Sequence, residues 1–545
     1  MGKHLLFGVF SDNLSAPASM LSWYAINKSG WSAEIERFTQ ADSDADICRK
    51  IEAHQPDLIA LTFKTFERAT AFQVARVAKT LGIKVICGGV HPSAAPNDIS
   101  ESGLFDGFVV GDGMGIFGEI LDSPNSLDGQ QILGRKHPDT VLYTNRYLSQ
   151  WQKDFVNERQ IYEMLTNAGC FYECTFCSTD RAFRKYPIEA CAQHIVDARK
   201  EMDFTTIYIW DDIFPINAGR ISRFRKILES EGLSFNYFVN ARAGLFDRHV
   251  AEELKLLGAR DITFGLETAS PKMGDFLKKE GNAQQVAEAR KICAEFELPF
   301  KCNVILGIPT EEPEDLQMTV DWVVENNPDM VAIYHFTPFP GSGLYQYCID
   351  NDHMPDDWSF DSYLGLEENL SSFKGYRKSF GMLKGINYDL VGEYRGKIEE
   401  HMNNRQDQVL LKFAAQADDR PWAIFGAGGF FYRILERATI HQHKWKNFLG
   451  FYEHFDDEYH DRTYEIDLKR FEWRADAGLQ PETLLLTKHW GHAMISRDIP
   501  ILVQDFAYTG KIESISTFPE EPGYRAQMNS TLQSKNARSH LTAVN

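Results

Sequence analysis

The stretch Asn167-Ala168-Gly169-Cys170-Phe171-Tyr172-Glu173-Cys174-Thr175-Phe176-Cys177 decides how the chain is read. Its cysteines are separated by three residues and then by two, which lets three thiolates close on one face of a small iron–sulfur cluster. A cubane of four irons and four sulfides is completed by four thiolates, so three leave one iron open to an exogenous ligand. Such a [4Fe-4S] site performs chemistry rather than storing electrons. Three cysteines could instead hold zinc with a distant fourth ligand, but zinc sites more often use paired two-residue spacings, and no second Cys or His pair is present.

Outward from that loop, composition sets bounds. A chain of 545 residues is too long for one hydrophobic core and suggests three or four domains. The formal charge of -20 disfavours nucleic acid or an anionic membrane as the main partner, because both require clustered Lys and Arg. A small-molecule substrate fits better. The other cysteines (Cys48, Cys87, Cys191, Cys293, Cys302, Cys348) are scattered without pair spacing, which argues against disulfides and a second cluster. With no signal-peptide layout and no membrane-length apolar run, a cytoplasmic location is expected.

Strand and helix signals alternate through three units, the pattern of parallel wound sheets, so the expected class is α/β and multidomain. Residues 1–125 form the first unit, with strands at Leu5-Phe10, Leu58-Thr62, Lys84-Cys87 and Gly107-Val110. Ligands of such sheets sit in loops at the carboxyl ends of the strands. Here those loops are Ser11-Asp12-Asn13, Thr62-Phe63-Lys64, Gly88-Gly89-Val90-His91-Pro92 and Gly111-Asp112-Gly113. Residues 126–160 read as a linker. The second unit, 161–350, has six strands at Tyr162-Thr166, Thr206-Trp210, Phe235-Asn240, Asp261-Leu266, Phe300-Leu306 and Met330-Phe336, and the cysteine loop follows the first of them. Residues 351–417 read as helical and connecting, 418–512 as a Rossmann-like accessory domain, and 513–545 as a disordered tail.

The cysteine spacing, with Gly169 before it and Phe176 inside it, resembles the radical S-adenosylmethionine (SAM) superfamily. Five later segments are similar to that family at successive strand ends: Ile209-Trp210-Asp211-Asp212-Ile213-Phe214, Asn240-Ala241-Arg242, Gly265-Leu266-Glu267-Thr268, Leu306-Gly307-Ile308-Pro309-Thr310-Glu311 and Thr337-Pro338-Phe339-Pro340-Gly341-Ser342. The resemblance implies a partial (β/α)6 barrel whose open iron is chelated by the amino and carboxylate groups of SAM. It then implies Asp211 or Asp212 for the ammonium, Arg242 for the carboxylate, Glu267 for ribose or ammonium, Phe176 near adenine, and Gly307 and Pro338 shaping backbone around it.

The loop Gly88-Gly89-Val90-His91-Pro92-Ser93 followed by Val109-Val110-Gly111-Asp112-Gly113 resembles the cobalamin-binding domain that precedes the barrel in one branch of that superfamily. Ser11, Thr62, Gly88, Gly89, His91, Gly111 and Asp112 are the cobalamin positions this implies, His91 as a loop-shaping or cofactor-edge residue. There is no Asp-x-His-x-x-Gly to supply a lower cobalt ligand. As the resemblance implies, such enzymes use a 5'-deoxyadenosyl radical and methylcobalamin to methylate an unactivated carbon or a phosphinate, with reduction by a donor such as flavodoxin or ferredoxin. A non-methylating relative such as an oxidative cyclase or ring-contracting enzyme, and a cluster-bearing sensor, are the alternatives. In the third unit Gly426-Ala427-Gly428-Gly429-Phe430-Phe431 has two of three dinucleotide-fingerprint glycines, with Glu453 placed for a ribose; Phe431 in place of the third glycine favours an accessory domain.

Overall fold

The computed structural model describes residues 3–10, 14–363 and 383–416, together with five strands between 422 and 514. The first sheet is parallel, with strands β1 (His4–Val9), β2 (Ser32–Arg37), β3 (Leu58–Thr62), β4 (Lys84–Gly88), β5 (Gly107–Val110) and β6 (Gln130–Leu133) in the order β2-β1-β3-β4-β5-β6. The order reverses between β1 and β3. That is the switch point where loops diverge and a crevice opens at the strand ends.

Two of these strands escape the sequence pattern. The segment Ser-Ala-Glu-Ile-Glu-Arg of β2 is polar because it forms an edge, and β6 is the mostly exposed opposite edge. Since β6 lies in the sheet, residues 126–160 are not a plain linker. The same stretch holds a helix, Gln150–Arg159, and straps the β2 edge: Trp151 donates its indole N–H to the Ile35 carbonyl at 2.8 Å, and Tyr147 donates its hydroxyl to Glu34 at 2.7 Å.

The second sheet is also parallel: β7 (Ile161–Met164), β8 (Thr206–Ile209), β9 (Asn236–Ala241), β10 (Ala259–Glu267), β11 (Lys301–Leu306) and β12 (Met330–His335), each paired with its sequence neighbour. Consecutive pairing through crossover helices makes an open partial barrel. On β8 the buried Ile207 and Ile209 join the main core beside Ile221, Phe224 and Leu228 of the helix Ala218–Ser230, so Tyr208 has the opposite parity and faces inward. A helix, Tyr388–Gln416, lies against β12, where its Arg405 pairs with Asp329 at 2.8 Å.

The third sheet comprises Trp422–Phe425, Phe448–Glu453, Lys469–Arg470, Thr483–Leu486 and Lys511–Ser514, all parallel. Its last strand crosses residue 512, so the expected tail does not begin at 513. The glycine run 426–431 and the expected strand 499–503 lie outside the described residues. Among the described residues no helix is long and apolar enough to cross a membrane.

Candidate cofactor and active site

The cysteine loop leaves β7 through a short antiparallel ladder, Asn167–Ala168 against Arg184–Lys185. Gly169 makes the turn possible. Its φ is 77°, and a Cβ there would lie 2.7 Å from the Asp180 carbonyl oxygen. Arg181 then gathers the loop from within, donating to the carbonyls of Tyr172, Cys174 and Cys177 at 2.5, 2.8 and 2.9 Å. Thr175 pins it to the far side of the barrel through the Leu277 and Phe276 carbonyls and the Leu344 amide.

Cys170 and Cys174 are buried, Cys177 is partly exposed, and none is in a disulfide. Burial pushes the Cys170 thiol up, with Arg242 opposing it. Arg242 lies with its guanidinium 3.6 Å from the Tyr172 ring centroid and both terminal nitrogens 3.7 Å from the Cys174 sulfur. Its Nε is buried without a partner. Cys170 and Cys174 share one buried hydrophobic cluster with Cys177 packed against it, and Arg242 lies beside Cys174, an environment that suits thiolate ligands because the cation offsets their charge.

The two expected aspartates have different environments. Asp211 is fully buried and accepts from the Thr166 amide at 2.6 Å, the Thr166 hydroxyl at 2.5 Å, the Asn167 amide at 3.2 Å and the Asn167 side chain at 2.7 Å. It ties the end of β7 to the end of β8 and has no surface for a ligand, which corrects its expected contact with an ammonium. Burial pushes its carboxyl up to about 7. Asp212 is exposed and accepts from the Thr179 hydroxyl at 3.2 Å, just beyond Cys177.

Glu267 ends β10 with φ 65° and takes Lys279 as partner at 3.4 Å. Gly265 makes the room, for a Cβ there would lie 2.3 Å from a Glu267 carboxylate oxygen. Gly307 has φ 80° and donates its amide to Glu311 at 2.7 Å, as Ile308 does at 3.2 Å; burial pushes the Glu311 carboxyl up to about 8. Pro338 is buried, its carbonyl held by the Tyr363 hydroxyl at 2.5 Å. Phe176 is partly buried and packs against both Cys170 and Ile308 clusters.

Two cavities adjoin at the switch point of the first sheet. A larger one of about 1070 Å³ is lined from the first sheet by Phe10, Thr62, Lys64 and Gly89 and from the barrel by Glu163, Leu165 and Trp210. A narrower one of about 250 Å³ runs between Gly88, Gly111, Gly113 and Phe117, reaching Ala168 and Arg184 behind the cysteines. Thr62 and Gly89 border both. Bare backbone at Gly88, Gly89, Gly111 and Gly113 widens these walls, and Gly89 also has φ 102°. The slot and the Thr62–Gly89 wall of the chamber fit a corrin with its nucleotide tail.

His91 is not part of that cradle. It is fully buried, with its ring nitrogens 3.2 Å from the Thr65 hydroxyl and 3.0 Å from Asp98, and Asp98 is paired with Arg68 at 2.5 Å. Its position in the Gly-Gly turn serves the protein's own packing, and it lines neither cavity. Asp112 lines the narrow cavity, but its carboxylate is held by Arg184, by the Tyr143 hydroxyl at 2.9 Å and by the Met114 amide at 2.9 Å. Ser11 lies outside the described residues. Sequence reasoning missed Arg181, Arg184, Glu163 and Trp210. The two arginines were in plain reach, within eight residues of Cys177.

A wound sheet whose glycine loops face the cysteine end of a half barrel defines a two-cofactor architecture, and comparison with known proteins names its parts. Residues 19–121 match the B12 binding domain and residues 164–323 the radical SAM superfamily. The chain joins a B12-binding domain to a radical SAM domain, and with them the cofactor set of [4Fe-4S] cluster, SAM and cobalamin. It is 26% identical over 338 residues to the uncharacterized methyltransferase PH0819 of Pyrococcus horikoshii, 56% of this chain and 72% of that protein. It is 23% identical over 354 residues to the anaerobic magnesium-protoporphyrin IX monomethyl ester cyclase of Rubrivivax gelatinosus, 59% of this chain and 64% of that protein. The solved structure of the radical SAM methyltransferase TsrM from Kitasatospora setae, with tryptophan substrate and a SAM analogue, shares the fold: TM-score 0.52, 14% identity, 64% of this chain and 76% of that one.

Proposed function

We propose that this protein is a cobalamin-dependent radical SAM methyltransferase acting on an unactivated carbon, or a phosphinate, of a small molecule. One observation carries the reading: the glycine loops of the B12-binding domain and the ladder from which the cysteine loop springs border a common cavity, with Gly88, Gly111 and Asp112 opposite Ala168 and Arg184. The cofactors supply the hard chemistry, a hydrogen-abstracting radical from SAM on the cluster and a methyl group from cobalamin. The chain's own residues position and shield. Cys170, Cys174 and Cys177 hold the cluster, Arg242 offsets its charge and offers a donor to the SAM carboxylate, and Asp212 and Glu267 accept from its ammonium and ribose. Phe176, Gly307 and Pro338 shape the adenine side, while Thr62, Gly88, Gly89 and Gly111 cradle the corrin.

The similarity to a methyltransferase supports methyl transfer, and that to a cyclase favours a non-methylating enzyme as the second reading. The formal charge of -20 suits a small-molecule substrate, with electrons from a donor such as flavodoxin or ferredoxin. The test is anaerobic reconstitution with cobalamin and SAM, followed by measurement of 5'-deoxyadenosine and S-adenosylhomocysteine. Both products are expected from the wild-type chain and neither from Cys174→Ala. Formation of 5'-deoxyadenosine with cobalamin bound, substrate consumed and no S-adenosylhomocysteine would replace methyl transfer by the second reading.

A further inference from the structure

Trp210 follows the last residue of β8 with 48% of its surface exposed, yet it borders the large cavity between the domains rather than an outer face. Its ring stacks on Tyr208 with centroids 4.0 Å apart and planes 16° apart, and Tyr208 stacks in turn on Phe238 at 5.9 Å and 18°. Three rings thus run along the inner wall of the barrel, and the outermost leaves one face to the cavity. Glu163, whose carboxyl accepts from the Leu14 amide at 3.0 Å, lines the same cavity beside the indole. A ring backed by a parallel ring presents a flat surface, which suits offset stacking of another π-system better than packing of a puckered aliphatic skeleton.

The placement selects substrate over cofactor. The glycine cradle belongs to the opposite wall, at Thr62 and Gly89, and two residues after Trp210 Asp212 accepts from Thr179, next to the cluster cysteines. A molecule lying on Trp210 faces the Thr62 and Gly89 wall and lies two residues from Asp212, which contacts the cluster loop. We infer that Trp210, backed by Tyr208, is the substrate platform and that the substrate presents a flat conjugated ring there. This rests on the reading that the facing wall holds cobalamin.

The test uses cobalamin-loaded full-length protein and two probes with one carbon skeleton, 2-naphthol and decahydro-2-naphthol, by equilibrium dialysis. Wild-type protein should bind the flat probe about tenfold more tightly than the saturated one. Trp210→Phe, which keeps a ring, should retain that preference, and Trp210→Leu should remove it while keeping the wild-type cobalamin content and melting temperature. Equal binding of the two probes by the wild type, or a preference surviving in Trp210→Leu, would overturn the inference. Failure of the wild-type protein to retain cobalamin would instead count against the function it rests on.

Discussion

Arg184 forms an ion pair with Asp112, joining the ladder behind the cluster cysteines to the last glycine loop of the first sheet. Both side chains are largely buried, and Tyr143 completes the group by donating its hydroxyl to Asp112 and lying under the Arg184 guanidinium at 5.1 Å. Removing one partner of a buried pair leaves the other charge uncompensated, at about 3 kcal/mol. Arg184→Ala should therefore lower the melting temperature and loosen cobalamin while iron content stays at the wild-type level. Unchanged melting and cobalamin affinity would show that the pair does not couple the two sites.

Arg242 makes a second, separable claim. Lys keeps the charge but loses the planar fork that covers Tyr172 and meets Cys174 with two nitrogens. Arg242→Lys should retain iron yet cleave SAM about tenfold to a hundredfold more slowly, the scale of one charge-assisted hydrogen bond lost. The check is 5'-deoxyadenosine formation at saturating reductant.

The glycine pair at the end of β4 provides an internal control. A Cβ at Gly89 would lie 2.8 Å from the Thr62 hydroxyl and 3.2 Å from the Phe63 amide nitrogen, on a backbone with φ 102°. At Gly88 it would make ordinary contact with Val109 at 3.6 Å. Gly89→Ala is expected to cost about 1–3 kcal/mol and to abolish cobalamin binding, whereas Gly88→Ala should melt as the wild type does. Thermal melts and cobalamin absorbance of the two variants separate these outcomes.

Asp211 gives a pH prediction. Its folded-state carboxyl titrates at about 7 because burial disfavours its charged form, well above its ordinary value of 3.8. The folded state then binds more protons than the unfolded one between these values, so this group's contribution to stability falls as pH rises from about 4 to about 7. Asp211→Asn should flatten that slope in denaturant melts. It should also destabilise the protein by about 1–3 kcal/mol, because an amide cannot accept all four bonds from Thr166 and Asn167.

Much of this was legible in the sequence where a residue's role is local. The six barrel strands follow from apolar runs, and the cysteine spacing announces its own chemistry. The edges β2 and β6 were hidden because a half-exposed edge keeps polar residues and loses the apolar run that marks a buried parallel strand. The site residues were harder, since adjacency in sequence says nothing of which way a side chain turns. Asp211 and Asp212 are neighbours, but one is sealed under the β7 loop and the other faces the cluster loop. His91 sits in a ligand-like turn, and only its contacts with Thr65 and Asp98 reveal that it serves the fold. Trp210 reads as one more apolar strand residue until its stack on Tyr208 and its exposure are seen together.

The most direct measurement is the cofactor content of the anaerobically purified chain, produced with cobalamin supplied, beside a variant with Cys170, Cys174 and Cys177 all changed to Ala. The wild-type chain should carry about four irons and about one cobalamin, and the triple variant cobalamin without iron. Wild-type protein that holds iron but never cobalamin, or a triple variant that still holds the cluster, would contradict the account.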